Sequence, residues 1–418
     1  MDVSVQEISR CEVCSNTVLE AVLDLGGHPM CDDLIEVGDA RMCKEYPIEI
    51  LLCPTCLTAH QKYQIPKAEL FPASYHYRSR FTADVLSGMQ ELVTSCATQI
   101  GALAGKTVVD IGCNDGSLLG FFRDQGAKTI GVEPTDAYLD AQENGHDVYG
   151  TYFDSALAQT IRQAHGPADI ITFTNVFAHI EDLCGLLDAV KSLMHDGTVL
   201  VVENHYLGAV LDRNQFDTFY HEHPRTYSFR SFEVIADTLG AQVLNVEFPA
   251  RYGGNIRVFI GPEGALEAPA VGVDLTALRA REAGFGAGLV AMAEGITQWK
   301  ANKTAEIAAL VDVHGPMKAK AFPGRAAILV KLLELDARSV SYVYEKPGSL
   351  KVGHYVPGTR IEILSDDDLF TTLEDGAPIL NLAWHISGEI QEYLRKAGCT
   401  GSIVDILHPS DFESDPAS

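Results

Sequence analysis

Three groups of residues have types and spacings suited to chemistry. Cys11 and Cys14 form one CxxC pair, and Cys53 and Cys56 form another. Each pair brings two thiolates to one side of a tight turn, and two such knuckles complete the closed tetrahedral site of a structural zinc ion. A closed Cys₄ site leaves no position for substrate, so its role is folding stability. Buried reduced thiols are the plainer alternative, and that is the reading for the unpaired Cys31 and Cys43. The second group is the loop VVDIGCNDGS, with Asp110, Gly112, Asn114 and Gly116. Its glycines let the backbone approach a ligand, and the helix that follows offers unpaired amides. The dinucleotide pattern GxGxxG fails, because Asn114 stands where the central glycine belongs. An acidic strand end, Asp110, and a second one, Glu133, about twenty residues on, suit a cationic, phosphate-free ligand whose ribose hydroxyls Glu133 accepts. The third group is Tyr220-His221-Glu222-His223, which concentrates proton carriers. Histidine titrates near neutrality and serves as a base without a large shift. Zinc ligation by the two histidines, or a hydrogen-bonded structural turn, are the alternatives from the residues alone.

These groups need elements to hold them. KTVVDI, then the glycine loop, then LLGFFRD reads as strand, tight turn and helix. TIGVEP, DIITFTN ending at Asn175, and GTVLVVEN continue the alternation, which implies a parallel α/β sheet. In such a sheet ligands bind beyond the carboxyl ends of the strands, which puts Asn175 and His179 on the cofactor side. Residues 261–274 look like a linker, followed by a polar, Ala-rich helix to about Leu310. From ALVDVHG onward a second, smaller α/β set begins, with strands in SVSYVYE, RIEIL, PILNLAW and GSIVDIL and a helix over ISGEIQEYLRKAG.

With 418 residues the chain has room for two or three domains. Its 57 acidic against 31 basic residues give a formal charge of −26, which repels nucleic acid and acidic membranes. No apolar run approaches a membrane span and the opening residues lack a signal-peptide pattern, so a cytoplasmic protein is expected, and a monomer is the expected assembly.

DIGCNDGSLL followed by GVEP resembles the cofactor motif of class I methyltransferases, and FDTFYHEH, RYGGNIRVFI and KVGHYVPGT are similar to segments of the sugar-nucleotide C-methyltransferases. The resemblance covers nearly the whole chain. It implies an α/β protein of three parts: a zinc-binding module (1–75), a Rossmann-like S-adenosylmethionine-dependent methyltransferase domain (76–262) and a C-terminal Rossmann-like domain without cofactor (263–418). It also implies that Tyr220, Glu222 and His223 act in catalysis, that His179 helps position the substrate, and that Tyr77, in SYHYRS, reaches the same cavity. Where the family tends to place two aromatics before a serine, this chain has Thr226, Tyr227 and Ser228.

The implied reaction is methylation of a keto-sugar nucleotide at C3, next to a 4-keto group. A carbon acid must lose a proton before it attacks the sulfonium methyl, so a base and donors to the enolate oxygen are required. His223 with Tyr220 is the expected base, and His179 or Tyr77 the donors. Arg257, Lys320 and Lys351, scarce cations beside glycine or family-like motifs, are expected to hold the diphosphate. An O- or N-methyltransferase, or a zinc-bearing binding protein with a degenerate cofactor fold, are the rival readings.

Overall fold

The computed structural model describes residues 5–70, 78–81, 83–267 and 272–412. They form two compact units, the first drawn from within 1–20, 51–210 and 222–286 and the second from within 21–50, 211–221 and 287–418. Among the described residues no helix is long and apolar enough to cross a membrane.

The first unit is built on strands β1 (Thr107–Ile111), β2 (Lys128–Val132), β3 (Asp147–Tyr149), β4 (Ile170–Thr174), β5 (Val199–His205), β6 (Gln242–Glu247) and β7 (Asn255–Gly261). Their spatial order is β6-β7-β5-β4-β1-β2-β3. The pairs from β3 through β5 are parallel, and β7 lies antiparallel between β5 and β6. Chain order therefore reverses between β1 and β4, the position where an open parallel sheet diverges to admit a ligand. β1 is buried at every residue, as expected of a central strand covered on both faces. Helices α1 (Ala83–Ile100) and α2 (Ser117–Asp124) cover one face, where Leu92, Cys96, Leu118 and Phe122 pack on Val108, Ile170, Val201 and Phe259. Helix α3 (Phe229–Leu239) starts at a capping box between Ser228 and Ser231 and stops at Gly240, whose φ of 71° is the left-handed cap that glycine adopts without cost.

The second unit holds a parallel sheet of β8 (Met317–Lys320), β9 (Val340–Glu345), β11 (Glu362–Ser365), β12 (Ile379–Asn381) and β13 (Ile403–Asp405). Two short antiparallel strands, β10 (His354–Tyr355) and Ile35–Glu36, extend its edge, giving the order β13-β12-β8-β9-β11-β10-Ile35–Glu36. One expectation is overturned here. ALVDVHG does not open a strand, because the helix α4 (Phe285–His314) runs straight through it. The alternation of apolar residues in that stretch imitates a strand, but Val313 is 76% exposed and helix formers precede it. Gly315 at φ 75°, with its N–H on the Val311 carbonyl and Pro316 next in sequence, is the stop that the chain obeys.

The motif RYGGNIRVFI becomes β7 and the turn before it, and its cations are used inside the sheet. Arg257 grips Glu203 through Nε (2.8 Å) and Nη2 (2.7 Å) and Glu247 through Nη1 (2.8 Å). Arg251 Nη1 stands 3.5 Å from Glu203, and Asn255 Nδ2 donates to the same carboxylate at 3.1 Å. Glu203 is fully buried, so removing a partner leaves an uncompensated charge. Arg257→Ala is expected to lower the free energy of unfolding by about 3 to 5 kcal/mol, read from denaturant titration. A change below about 0.5 kcal/mol, the range of ordinary surface substitutions, would contradict this.

Candidate active site and metal centre

The two CxxC knuckles close in the same way. The N–H of Ser15 donates to the Cys11 carbonyl and that of Leu57 to the Cys53 carbonyl, both at 2.9 Å, and both residues take left-handed φ values of 61° and 57°. These turns aim four thiols at one point. Cys11 Sγ lies 3.4 Å from Cys56 Sγ, Cys14 Sγ lies 3.5 Å from Cys53 Sγ, and all four are within 4.8 Å of one another. Tetrahedral ligands about 2.3 Å from zinc stand roughly 3.7 Å apart, so the set fits the ion. Main-chain N–H groups of Val13 and Cys14 point at Cys11 Sγ, each at 3.4 Å, the donor pattern that stabilises a thiolate. Among the described residues these cysteines are the one set able to hold a metal ion, which sets aside zinc on the Tyr220–His223 segment. Cys31, which is buried, and Cys43, 3.3 Å from the Asp33 carbonyl, belong to the second unit.

The cofactor loop lies at the carboxyl end of β1. Gly112, Asn114 and Gly116 all have positive φ (78°, 50° and 77°), which folds the loop back over the strand edge. A Cβ on Gly112 would meet Val176 at 2.5 Å, so glycine is required there on two grounds. Glu133, nearly buried just past β2, accepts from Asn114 N–H through Oε2 (3.0 Å) and from Thr135 N–H and hydroxyl through Oε1 (2.9 and 2.6 Å). Two donors fill Oε1, so the capacity left for a ribose hydroxyl is on Oε2 unless the Thr135 hydroxyl rotates away. Asp110 accepts from the Thr172 hydroxyl at 2.6 Å. Burial, reinforced by Glu133 and opposed by Thr172, pushes its carboxyl up to about 7, and a cationic ligand at this edge would favour the ionised form. Asn175, at φ 55°, donates from its backbone to the Glu203 carbonyl (2.8 Å), while its side-chain oxygen accepts from Asn255 (3.2 Å). Residues Ser79 and Arg80, which sequence reasoning missed, staple the loop. The N–H of Ser79 donates to Asn114 Oδ1 (3.0 Å), that of Arg80 to Asp115 Oδ2 (2.9 Å), and Arg78 binds Asp140 at 2.6 Å.

Beyond β4 and β5 the structure gathers three imidazoles. His179 and His223 have ring centroids 4.8 Å apart, and His205, at the end of β5, lies 5.4 Å from His223. His179 Nδ1 donates to the Glu222 carbonyl at 2.7 Å, which fixes the ring against the segment that carries His223. Burial lowers the pKa of His179, against the opposing main-chain bonds to Glu222 and Asn175. His205 escaped the sequence analysis, although its place at a strand end on the cofactor edge was a usable signal. Tyr220 and His221 fall in the second unit. His221 is buried, with Nε2 3.1 Å from the Tyr46 carbonyl, so it faces main chain. Tyr77 lies outside the described residues.

Two of the expected phosphate partners are corrected. Arg257 is committed to Glu203 and Glu247, and Lys320, 1% exposed, is held by both oxygens of Asp366 at 2.8 Å. Withdrawing either cation to a phosphate would leave the buried Glu203 or Asp366 uncompensated, at a cost of about 3 to 5 kcal/mol. Lys351 differs, since its Nζ donates to the Phe322 carbonyl at 2.7 Å and lies over the Phe322 ring.

Glu133→Ala is expected to weaken S-adenosylmethionine binding by about 1.5 to 3 kcal/mol, the worth of a charged acceptor; calorimetry giving an unchanged dissociation constant would contradict it. The pH dependence of stability tests the placing of His221. Burial, with a further push from His28, lowers its pKa from 6.5 to about 4. The unfolded chain then binds a proton that the folded one refuses, so this contribution is present above about pH 6.5 and is lost as pH falls toward 4. His221→Gln is expected to flatten the stability profile in that window, and an unchanged slope would contradict it.

Three family profiles match successive parts of the chain. One described as "Putative zinc binding domain" matches residues 11–71, one described as "Methyltransferase domain" matches 80–246, and one described as "C-methyltransferase C-terminal domain" matches 250–405. The chain is 27% identical over 402 residues to C-methyltransferase NovU of Streptomyces niveus, covering 94% of this chain and 95% of that one. It is 25% identical over 135 residues to a ubiquinone biosynthesis O-methyltransferase of Acinetobacter baumannii, and spans half the length of that relative. Magnesium protoporphyrin IX methyltransferase from Synechocystis PCC 6803, solved with bound SAM, aligns with 43% of this chain and 80% of its own at a TM-score of 0.33 and 16% identity. Four thiols placed for zinc and a class I methyltransferase sheet carrying its cofactor loop agree with these matches, which give the chain a zinc-binding domain, a methyltransferase domain and a C-methyltransferase C-terminal domain and make it an S-adenosylmethionine-dependent C-methyltransferase.

Proposed function

We propose that this C-methyltransferase acts on a keto-sugar nucleotide, at C3 beside a 4-keto group, with His223 as the base. The observation that carries this reading is the His179–His223 ring pair, 4.8 Å between centroids, at the carboxyl edge of the sheet that bears the cofactor loop. The sugar nucleotide itself rests on the resemblance of FDTFYHEH, RYGGNIRVFI and KVGHYVPGT to segments of the sugar-nucleotide enzymes.

Bound S-adenosylmethionine supplies an electrophilic methyl on a sulfonium. The protein must supply a nucleophile, and a carbon next to a ketone becomes one only as its enolate. His223 takes the proton from that carbon, and the electron pair moves through the new carbon–carbon double bond onto the carbonyl oxygen. The enolate carbon would accept the methyl that S-adenosylmethionine, held by Glu133 and the loop residues, would supply, with neutral S-adenosylhomocysteine as the leaving group. Glu222 contributes through its main-chain carbonyl, which holds His179 beside His223. Glu133 and the loop residues Gly112, Asn114 and Gly116 orient the cofactor, with Asp110 and Asn175 shaping the edge around it.

Enzyme incubated with dTDP-, GDP- and CDP-linked 4-keto sugars and S-adenosylhomocysteine in D₂O is expected to wash deuterium into the carbon beside the ketone without turnover. His223→Ala is expected to slow exchange and methylation together by the roughly 10² to 10⁴-fold of a lost general base. Exchange at the wild-type rate in His223→Ala would move the base to Tyr220 or His179.

A further inference from the structure

An ion pair between buried Arg225 and partly exposed Glu12 joins the metal knuckle to both histidine-bearing segments. Glu12 stands between the metal ligands Cys11 and Cys14, so a closed knuckle fixes its backbone. Its Oε2 accepts from Arg225 Nη1 at 2.6 Å and from Gln64 Nε2 at 2.8 Å. Arg225 is fully buried, donates from Nε to the Tyr227 hydroxyl at 3.0 Å, and reaches the Glu181 carbonyl at 3.5 Å. Arg225 follows His223 by two residues, and Glu181 follows His179 by two. One guanidinium therefore touches the segments of both rings, and one carboxylate carried on the first knuckle holds that guanidinium.

The second knuckle grips the same stretch independently. Just past Cys56, Ala59 and His60 pair antiparallel with Thr226 and Arg225, and the N–H of Gln61 donates to the Pro224 carbonyl at 2.8 Å. Ser228 Oγ donates to the Cys56 carbonyl at 3.0 Å, and Thr58 Oγ1 lies 2.8 Å from Ser231 Oγ. Arg225 is buried and Glu12 partly exposed, and such a pair adds little net stability, so what the two provide is geometry.

We propose that Glu12 and Arg225 are positioning residues, through which the zinc module sets the placement of the His179 and His223 rings. The catalytic consequence rests on the reading of His223 as base, but the mechanical link does not, and the test separates the two. Protein labelled with ¹³C at histidine Cε1 is prepared as wild type, Glu12→Gln, Arg225→Lys, His179→Ala and His223→Ala, the last two to assign the resonances. Glu12→Gln, which keeps size and removes charge, is expected to shift both the His179 and His223 resonances. Zinc content and S-adenosylhomocysteine affinity should stay within about twofold of wild type. Turnover counted per S-adenosylhomocysteine site should fall about tenfold or more, because misplacement of reacting groups by about 1 Å costs up to 10², with the Michaelis constant for S-adenosylmethionine unchanged. Arg225→Lys is expected to do the same. Unmoved resonances in Glu12→Gln would overturn the link, as would loss of zinc and cofactor binding in step with activity, since the pair would then hold only the fold. Shifted resonances beside a fully active His223→Ala would uphold the link and remove the base assignment instead.

Discussion

Parallel strand pairing is the constraint on which the rest of the first unit depends. Strands that run the same way deliver every connection that follows them to one edge, and between β1 and β4 those connections diverge. The cofactor loop, Glu133, Asn175, His179 and His205 all follow or end strands of this sheet, so they meet at its carboxyl edge although they are spread through the chain. The loop folds over this edge with unusual backbone: three positive φ values in five residues, braced by Glu133 on one side and the Ser79–Arg80 amides on the other.

A parallel sheet alone does not place His223, which lies in an irregular stretch between β5 and α3. Irregular backbone has no ladder to fix it, and here the neighbouring metal module supplies one. The Arg225–Thr226 strand, the Ser228 cap and the Glu12 carboxylate all tie this stretch to the two knuckles. A metal centre suits that task because four ligands held by one ion resist displacement in a module too small to build a large core.

What the sequence made legible was what is local. The CxxC spacings, the loop from Asp110 to Gly116 with Glu133 beyond it, and the alternation of strands and helices all reside in short windows whose period or spacing survives without tertiary context. Long-range pairing was not legible. Glu12 and Arg225 are 213 residues apart, and nothing near either announces the other. Arg257 and Lys320 look the same in sequence whether their partner is a substrate phosphate or a carboxylate of their own chain, and burial with Glu203 and Asp366 decided it. His205 was marked only by its place at the end of a strand, and the end of α4 was misread because an apolar alternation of a few residues fits either period.

The central claim is that the methyl group is transferred to carbon, at a site where proton removal precedes alkylation. The most direct measurement is the product formed from S-adenosylmethionine labelled with ¹³C in the methyl group and a 4-keto-sugar nucleotide uniformly labelled with ¹³C in the sugar. The account predicts a one-bond carbon–carbon coupling between the new methyl and the ring carbon beside the ketone. A methyl resonance without that coupling, at the shift of an O-methyl or N-methyl group, would contradict it.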